Sequence, residues 1–370
     1  MRCDVLIVAA FECPFQDDSL LQQALEPIIE GYEWNDLEFI FSNKTTKQNK
    51  KINFWRNFRN AKISLLKRRG LLFSLILFNI LIILKSIYYK TKSKKVLIHS
   101  RGYPAALAAL ILSKLKISEY VFDPRGTLSE ELTNEEKNKK VFKSIINILE
   151  RSFLYNSILN VYVSQKMREH YEGKHRITSP FTIIYNRAGN DFILPDVKTF
   201  KEFPVLTYIG GVSKYQNLEK IIEILYHVEK IIPSAKIIIG VPSSAIQKIE
   251  NMCRDFNKKP LVKTFDRESV IQILSSSHYG FLIRDSSIIN LVSSPIKFGE
   301  YISCGVKVIM TNSIGDYSEM ANNDVSLIVD KNSNSEDIAK LIVEDFKLYE
   351  YKKQSFYEIA QKLNIKYVSQ

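Results

Sequence analysis

Ser293-Ser294-Pro295-Ile296-Lys297-Phe298-Gly299-Glu300-Tyr301-Ile302-Ser303-Cys304-Gly305, followed by Val306-Lys307-Val308-Ile309, reads as loop, helix, glycine stop and strand. Pro295 suits the first turn of a helix, where a missing N–H costs nothing. Gly305 suits the C′ position at which the helix must end. Lys297, Glu300 and Tyr301 lie three or four residues apart and can share one face. A helix N-terminus offers free N–H groups and a positive dipole end to an anion, and Lys297 adds a full charge. Glu300, one turn further on, is an acceptor placed to grip hydroxyl groups. A phosphate binder beside a hydroxyl binder is the layout a nucleotide needs.

Outward from this stretch the chain alternates strands and helices. In the second half, strands are expected at Val205–Ile209, Lys236–Ile239, Leu261–Lys263, Tyr279–Ile283, Lys307–Met310 and Ser326–Val329, with a mostly helical segment from Ser335 to about Leu363. In the first half they fall at Cys3–Ala9, Asp36–Phe41, Val96–His99, Tyr120–Phe122, Leu159–Val163 and Ile183–Tyr185, separated by helical segments such as Pro104–Lys116. This rhythm predicts an α/β protein with two parallel-sheet, Rossmann-like domains and ligands bound in the cleft between them. The irregular stretch from Arg187 to Phe203 reads as the linker. The expected division is a first domain over 1–200, a second over 201–345 and a terminal helix over 346–370.

At 370 residues, with 45% hydrophobic and 25% charged residues, the chain suits two globular domains. Four scattered cysteines without a Cys-x-x-Cys pair point to a reducing compartment, and Met1–Ala10 reads as a strand, not a signal peptide, so a cytoplasmic protein is expected. No Asp or Glu occurs between Glu38 and Glu119, a window that holds eighteen Lys and Arg. The remaining chain is net negative, although the whole carries +12. Charge gathered this way marks a face for an anionic surface.

The segment around Pro295 and Lys297 resembles the donor-site signature of the GT-B glycosyltransferases, specifically the large retaining family 4. That pattern is a Ser-Pro, a basic residue two positions on, then Glu-Tyr, a small residue, Gly and a strand ending in Val-Ile. The resemblance is specific in the second half of the chain and diffuse in the first. It implies a GT-B fold and transfer of a sugar from a nucleotide-diphosphate sugar with retention of anomeric configuration. It also implies no metal or other cofactor. The sequence has no Asp-x-Asp, no His-Glu-x-x-His and no cysteine pair with ligand spacing. The terminal helix is implied to cross back to the first domain.

Gly210-Gly211 follows a strand and lets backbone approach a phosphate. Its place matches the family's diphosphate loop, where the usual Arg is absent and either Lys214 or the backbone alone serves. Arg284-Asp285 falls at the carboxyl edge of the second sheet. In the family's Glu-x7-Glu pattern the first position is Val292 here, so Asp285, Asn290 or backbone groups must hold the sugar. The donor set is therefore Gly210, Gly211, Lys214, Arg284, Ser294, Pro295, Lys297 and Glu300, with Thr264 and Phe265 near the base. Arg101 and Arg125 follow strands of the first half, where each can meet a phosphate or carboxylate or simply hold loop backbone. With His99 and Asp285 they form the candidate catalytic set.

The basic window contains Phe54 to Arg69, whose aromatic and Leu stripe beside Lys and Arg is the pattern of an interfacial helix on anionic lipid. Leu71–Leu84 is apolar except Ser74 and Asn79 and shorter than a bilayer span, which favours an interfacial or a core helix over a transmembrane one. The insert over 44–95 is thus expected to face the inner membrane from its cytoplasmic side. Related enzymes use such a surface to reach lipid-linked saccharide acceptors in cell-surface polysaccharide and lipopolysaccharide synthesis. Other readings are an epimerase of the same fold, an inactive nucleotide-sugar binder, or a nucleic-acid binder using Phe54, Trp55 and Phe58, for which no recognised module is present.

Overall fold

Val5-Leu6-Ile7-Val8-Ala9-Ala10 is fully buried on both faces, which only a central parallel strand covered by helices on each side achieves. The computed structural model describes residues 1–12, 29–43, 61–131, 137–198 and 202–363. They form two units, Met1–Ile184 and Tyr185–Gln370.

The first unit has strands β1 (Arg2–Ala10), β2 (Glu33–Asn43), β3 (Lys62–Lys67), β4 (Val96–Arg101), β5 (Glu119–Asp123), β6 (Leu159–Tyr162) and β7 (Phe181–Ile183). They pair in parallel in the order β3-β2-β1-β4-β5-β6-β7. The chain builds outward one way from β1 and the other way from β4, so the switch point lies at the carboxyl ends of those two strands, where ligands bind in such sheets. The helices are α1 (Leu71–Thr91), α2 (Tyr103–Lys114), α3 (Leu128–Glu131), α4 (Lys137–Asn156) and α5 (Gln165–His175).

β3 corrects the expected amphipathic helix. Ile63 stands opposite Phe39 and Leu65 opposite Phe41, while the Ser64 hydroxyl donates to Glu38 Oε1 at 3.0 Å. So short an apolar run fits both periods, and the free edge of β2 decides it. Phe54 to Asn60 lie outside the described residues.

The helix expected over Leu71–Leu84 runs a further seven residues, to Thr91. Its polar residues are absorbed without breaking it. Lys85 pairs with buried Glu38 at 2.6 Å, Tyr89 OH donates to the same carboxylate at 2.7 Å, and Ser86 donates to the Ile82 carbonyl. Ser74, Phe78, Ile82 and Ser86 form the buried stripe. On the opposite side Phe73, Ile76, Ile80, Leu84 and Ile87 form a second apolar stripe exposed to solvent, with Leu84 60% accessible.

The second unit pairs β8 (Val205–Ile209), β9 (Lys236–Gly240), β10 (Leu261–Lys263), β11 (Tyr279–Leu282), β12 (Lys307–Thr311) and β13 (Ser326–Val329) in the parallel order β10-β9-β8-β11-β12-β13. Its switch point lies between β8 and β11. The helices are α6 (Leu218–Ile231), α7 (Ile246–Met252), α8 (Arg267–Ser275), α9 (Ile288–Leu291), α10 (Ile296–Ser303), α11 (Tyr317–Met320), α12 (Ser335–Lys347) and α13 (Lys353–Lys362).

The expected boundary near residue 200 moves to Ile184/Tyr185. The putting-down of this segment is specific: Asn186 Nδ2 donates to the Ser294 carbonyl at 2.7 Å, and Phe192 and Leu194 enter the second unit's core. The terminal helix, expected to cross to the first domain, buries Phe356, Ile359 and Ala360 in that same core and packs on α10.

Tyr301 of α10 lies flat against β11, where a Cβ added to Gly280 would stand 2.7 Å from its ring. This contact sets how closely α10 approaches the sheet. Gly280→Ala should therefore destabilise the protein by about 1–3 kcal/mol through overpacking. Urea unfolding measures this, and a smaller residue at position 301 should recover part of the loss.

Candidate active site

Gly210 follows β8, Arg284 follows β11, and Lys297 lies in the first turn of α10, so all three meet at the switch point of the second sheet. The Lys297 ammonium lies directly over Gly210. A Cβ there would fall 1.8 Å from Nζ, so any other residue would displace the lysine. Nζ donates to Tyr208 OH at 3.1 Å and to Gln216 Oε1 at 2.5 Å, and stands 4.3 Å from the centre of the Tyr208 ring. The Tyr208 hydroxyl donates onward to the Gly211 carbonyl at 2.6 Å, which ties the glycine loop to the lysine. Burial, then the neighbouring charge of Arg284, push the Lys297 pKa down to about 7.

Arg284 is itself buried. Its backbone N–H donates to Thr311 Oγ1 at 3.1 Å, and Nη1 donates to Asn290 Oδ1 at 3.1 Å. The guanidinium lies 5.2 Å from the centre of the Tyr215 ring, and its buried Nε–H has no partner among the described residues. Burial lowers its pKa. Two desolvated cations thus stand together, held by neutral oxygens and aromatic faces. A buried donor and a lysine displaced from its ordinary range give this edge an electrostatic environment that favours an anion.

The other expected residues divide. Asp285 Oδ1 accepts from Asn290 Nδ2 at 2.6 Å and from the Ser287 amide at 3.2 Å; burial opposes ionisation, but these bonds and Arg284 hold its pKa low. Glu300 sits half-buried one turn beyond Lys297. Pro295 is the N-cap of α10, one position earlier than expected. Ser294 serves the fold: its hydroxyl contacts Tyr317 OH at 2.5 Å and accepts from the Asn186 amide at 2.8 Å. Tyr301 faces the core and not the ligand side. Lys214 is exposed at the start of a 3-10 turn and is not brought to Lys297. Thr264 Oγ1 donates to the Val241 carbonyl at 2.7 Å, and Phe265 packs over Gly240, whose carbonyl accepts from the Gly210 amide at 2.8 Å. Val292 is buried. Sequence reasoning missed Tyr208, Tyr215 and Gln216, which carry no motif. The one available signal was a Tyr at the penultimate position of a strand that leads into Gly-Gly.

A second cluster occupies the switch point of the first sheet. His99 and Arg101 end β4, and Asp123 ends β5. Buried His99 shares a hydrogen bond between Nδ1 and Tyr32 OH at 2.9 Å and faces Asp123 Oδ2 with Nε2 at 3.5 Å. Burial holds its pKa down against the pull of Asp123. Arg101 reaches Glu12 at 2.5 Å and Asp123 at 3.4 Å; Arg125 stands 3.7 Å from Asp123. Arg125 adopts a left-handed φ of 65°, and burial, then Arg101, bring its pKa to about 10. Burial opposes ionisation of Asp123, but Arg125, His99 and Arg101 keep it a carboxylate.

No family model and no curated protein matches the sequence. Solved structures do match the fold. Sucrose-phosphate synthase from Thermosynechococcus elongatus aligns over 97% of this chain and 94% of its own, at a TM-score of 0.70 and 12% identity. A glycosyltransferase from Rickettsia africae aligns over 98% and 95%, at 0.68 and 14%. HepE from Anabaena, solved with UDP and glucose, aligns over 97% and 95%, at 0.66 and 12%. The chain has the GT-B glycosyltransferase fold.

Lys297 gives a stability test. Its folded pKa of about 7 lies below the ordinary 10.5, so between those values the unfolded chain binds one proton more and stability rises with pH. Lys297→Met should raise the melting temperature at pH 7. That advantage should shrink as pH rises toward 10, as thermal melts across this range will show. A variant less stable than wild type at pH 7 would mean that the lysine is a structural strut.

Proposed function

We propose that the protein is a glycosyltransferase that takes its sugar from a nucleotide-diphosphate sugar. The observation that carries this reading is a pair of cations, half-buried Lys297 and buried Arg284, set over a glycine loop at a sheet switch point. HepE is solved with UDP and glucose on the same fold, and a trehalose-6-phosphate protein from E. coli is solved bound to UDP-2-fluoro glucose. We assign the diphosphate to Lys297, Arg284 and the Gly210-Gly211 backbone, and the ribose to Glu300. Arg101 and Arg125 take the sugar or the acceptor.

In this reading anomeric configuration is retained. The acceptor hydroxyl attacks on the face the diphosphate leaves, the bond from the anomeric carbon to the phosphate oxygen breaks, and that oxygen receives the acceptor's proton. Lys297 and Arg284 stabilise the charge that develops on the departing diphosphate, in a site where desolvation strengthens their pull. The acceptor is a lipid-linked saccharide at the cytoplasmic face of the inner membrane, and the product contributes to a surface polysaccharide.

A thermal-shift panel with UDP, GDP, ADP and their sugars tests the donor site. One nucleoside diphosphate should raise the melting temperature, by about 2.7 kcal/mol of stabilisation at a hundredfold excess over its dissociation constant. Glu300→Ala should weaken the shift and Lys297→Ala should lower kcat/KM by about 10²–10³-fold. No shift with any nucleotide would sink the reading.

Gly210→Ala separates site from scaffold. The new methyl meets the end of the Lys297 side chain and, at 3.3 Å, the Tyr208 hydroxyl, and no backbone; a swing of the lysine relieves it, so the unfolding free energy should change by less than about 1 kcal/mol while nucleotide binding is lost. Nucleotide titration and urea unfolding of the same preparation give both values.

A further inference from the structure

The first unit carries a surface that the donor site does not explain. The crossovers from β3 to β4, β4 to β5 and β5 to β6 all run in one direction across the sheet, which places α1, α2 and α4 on one face of it. α1 packs against α2, and α2 against α4. Each presents an apolar stripe to solvent. To that of α1, α2 adds Leu107 and Ile111, and α4 adds Phe142, Ile145 and Ile148. An α-helix that is apolar all round belongs in an apolar medium, and a monomer's surface rarely leaves so continuous a patch in water.

α1 is long and apolar enough to cross a bilayer, but its position excludes that course. It joins two strands of one sheet, and Glu38 of β2 holds it there through Lys85 and Tyr89. Threading it through a membrane would dismantle the sheet, so the layer can only lie along one.

Charge identifies the medium. Where α1 and α2 end, a cavity of about 700 Å³ is lined by Lys90, Lys94, Lys95, Lys116 and Ser118, with Asp4 and Glu119. Lys95 meets Glu119 at 3.2 Å, Lys94 pairs with Asp36, and Asp4 accepts from the Lys95 amide at 2.7 Å. Lys90 and Lys116 stay exposed, and the buried Ser118 hydroxyl has no hydrogen-bond partner among the described residues. Lys67, Arg68 and Arg69 precede α1 at its other end. An apolar layer with basic residues at its margins matches lipid tails bordered by anionic headgroups, whereas a second copy of the chain would set the same lysines against each other.

We propose that the α1–α2–α4 layer docks on an anionic phospholipid bilayer, with the lysine cavity taking a lipid phosphate headgroup. The proposal stands on the first unit alone and not on the donor site. The test is flotation of the full chain with vesicles of phosphatidylcholine, or of equal parts phosphatidylcholine and phosphatidylglycerol. The protein should float with the mixed vesicles, hardly with the neutral ones, and less at high salt. Ile76→Asp with Ile80→Asp and Leu84→Asp should abolish flotation. Lys90→Gln with Lys94→Gln and Lys116→Gln should weaken it roughly 100-fold, about fivefold per lysine. Both variants should keep the wild-type melting temperature and any nucleotide-induced shift, which separates failure here from failure of the donor reading. Wild type that stays down with both vesicle types overturns the proposal. So does an aspartate variant that floats like wild type, or light scattering that shows a dimer broken by the aspartates.

Discussion

Two like charges held out of water at one sheet edge set the terms for the second unit. Lys297 and Arg284 each lose hydration, and each raises the cost of the other's charge. The fold meets that cost with neutral partners: Tyr208 and Gln216 for the lysine, Asn290 and the Tyr215 face for the arginine. A carboxylate bonded at either place would neutralise the pair and compete with any anion that approached. Neutral oxygens keep the cations ordered and leave their field available. The glycine at 210 and the aromatic at 208 are consequences of this choice, since the ammonium needs both the empty volume and the ring face.

The positions of these groups follow from topology. In each unit the strand order reverses once, and at each reversal the loops at the carboxyl ends part to leave a crevice. The second unit fills its crevice rim with cations. The first fills its own with a buried carboxylate, Asp123, surrounded by Arg101, Arg125 and His99. Asp123 fixes the directions of the two guanidiniums, at the cost of neutralising one of them. The first cluster is therefore a more rigid and less charged site than the second, suited to orienting polar groups.

How much of this the sequence shows depends on the range of the interaction. Val205–Ile209, Leu261–Lys263 and Ser326–Val329 are strands with the bounds their apolar runs suggest, because burial on both faces leaves a local signature. The Ser-Pro, lysine and glycine signals around α10 are equally local. β3 is not legible, because six residues of mixed character acquire their period from the edge they join. Nor is the partnership of Tyr208 and Gln216 with Lys297, which links residues more than eighty apart. Ser294 and Tyr301 show the converse error: each sits within the motif, yet Asn186 and Gly280, both distant in sequence, claim them for the fold.

The two kinds of positive charge in this chain act over different distances. Between Glu38 and Glu119 the sequence holds eighteen basic residues and no acidic one, and the residues described at the margin of α1 are mostly exposed, so their field reaches outward and salt screens it. Outside that window the chain is net negative, and Lys297 and Arg284 belong to this remainder. A polyanion is therefore not drawn to them by the general field of their surroundings. It must be recognised at contact, by two desolvated charges whose attraction is strong because water is excluded and weakly screened for the same reason. In the proposed reading, attraction to a surface and selection of a small anion thereby fall to separate parts of one chain, and neither draws on the other's charge.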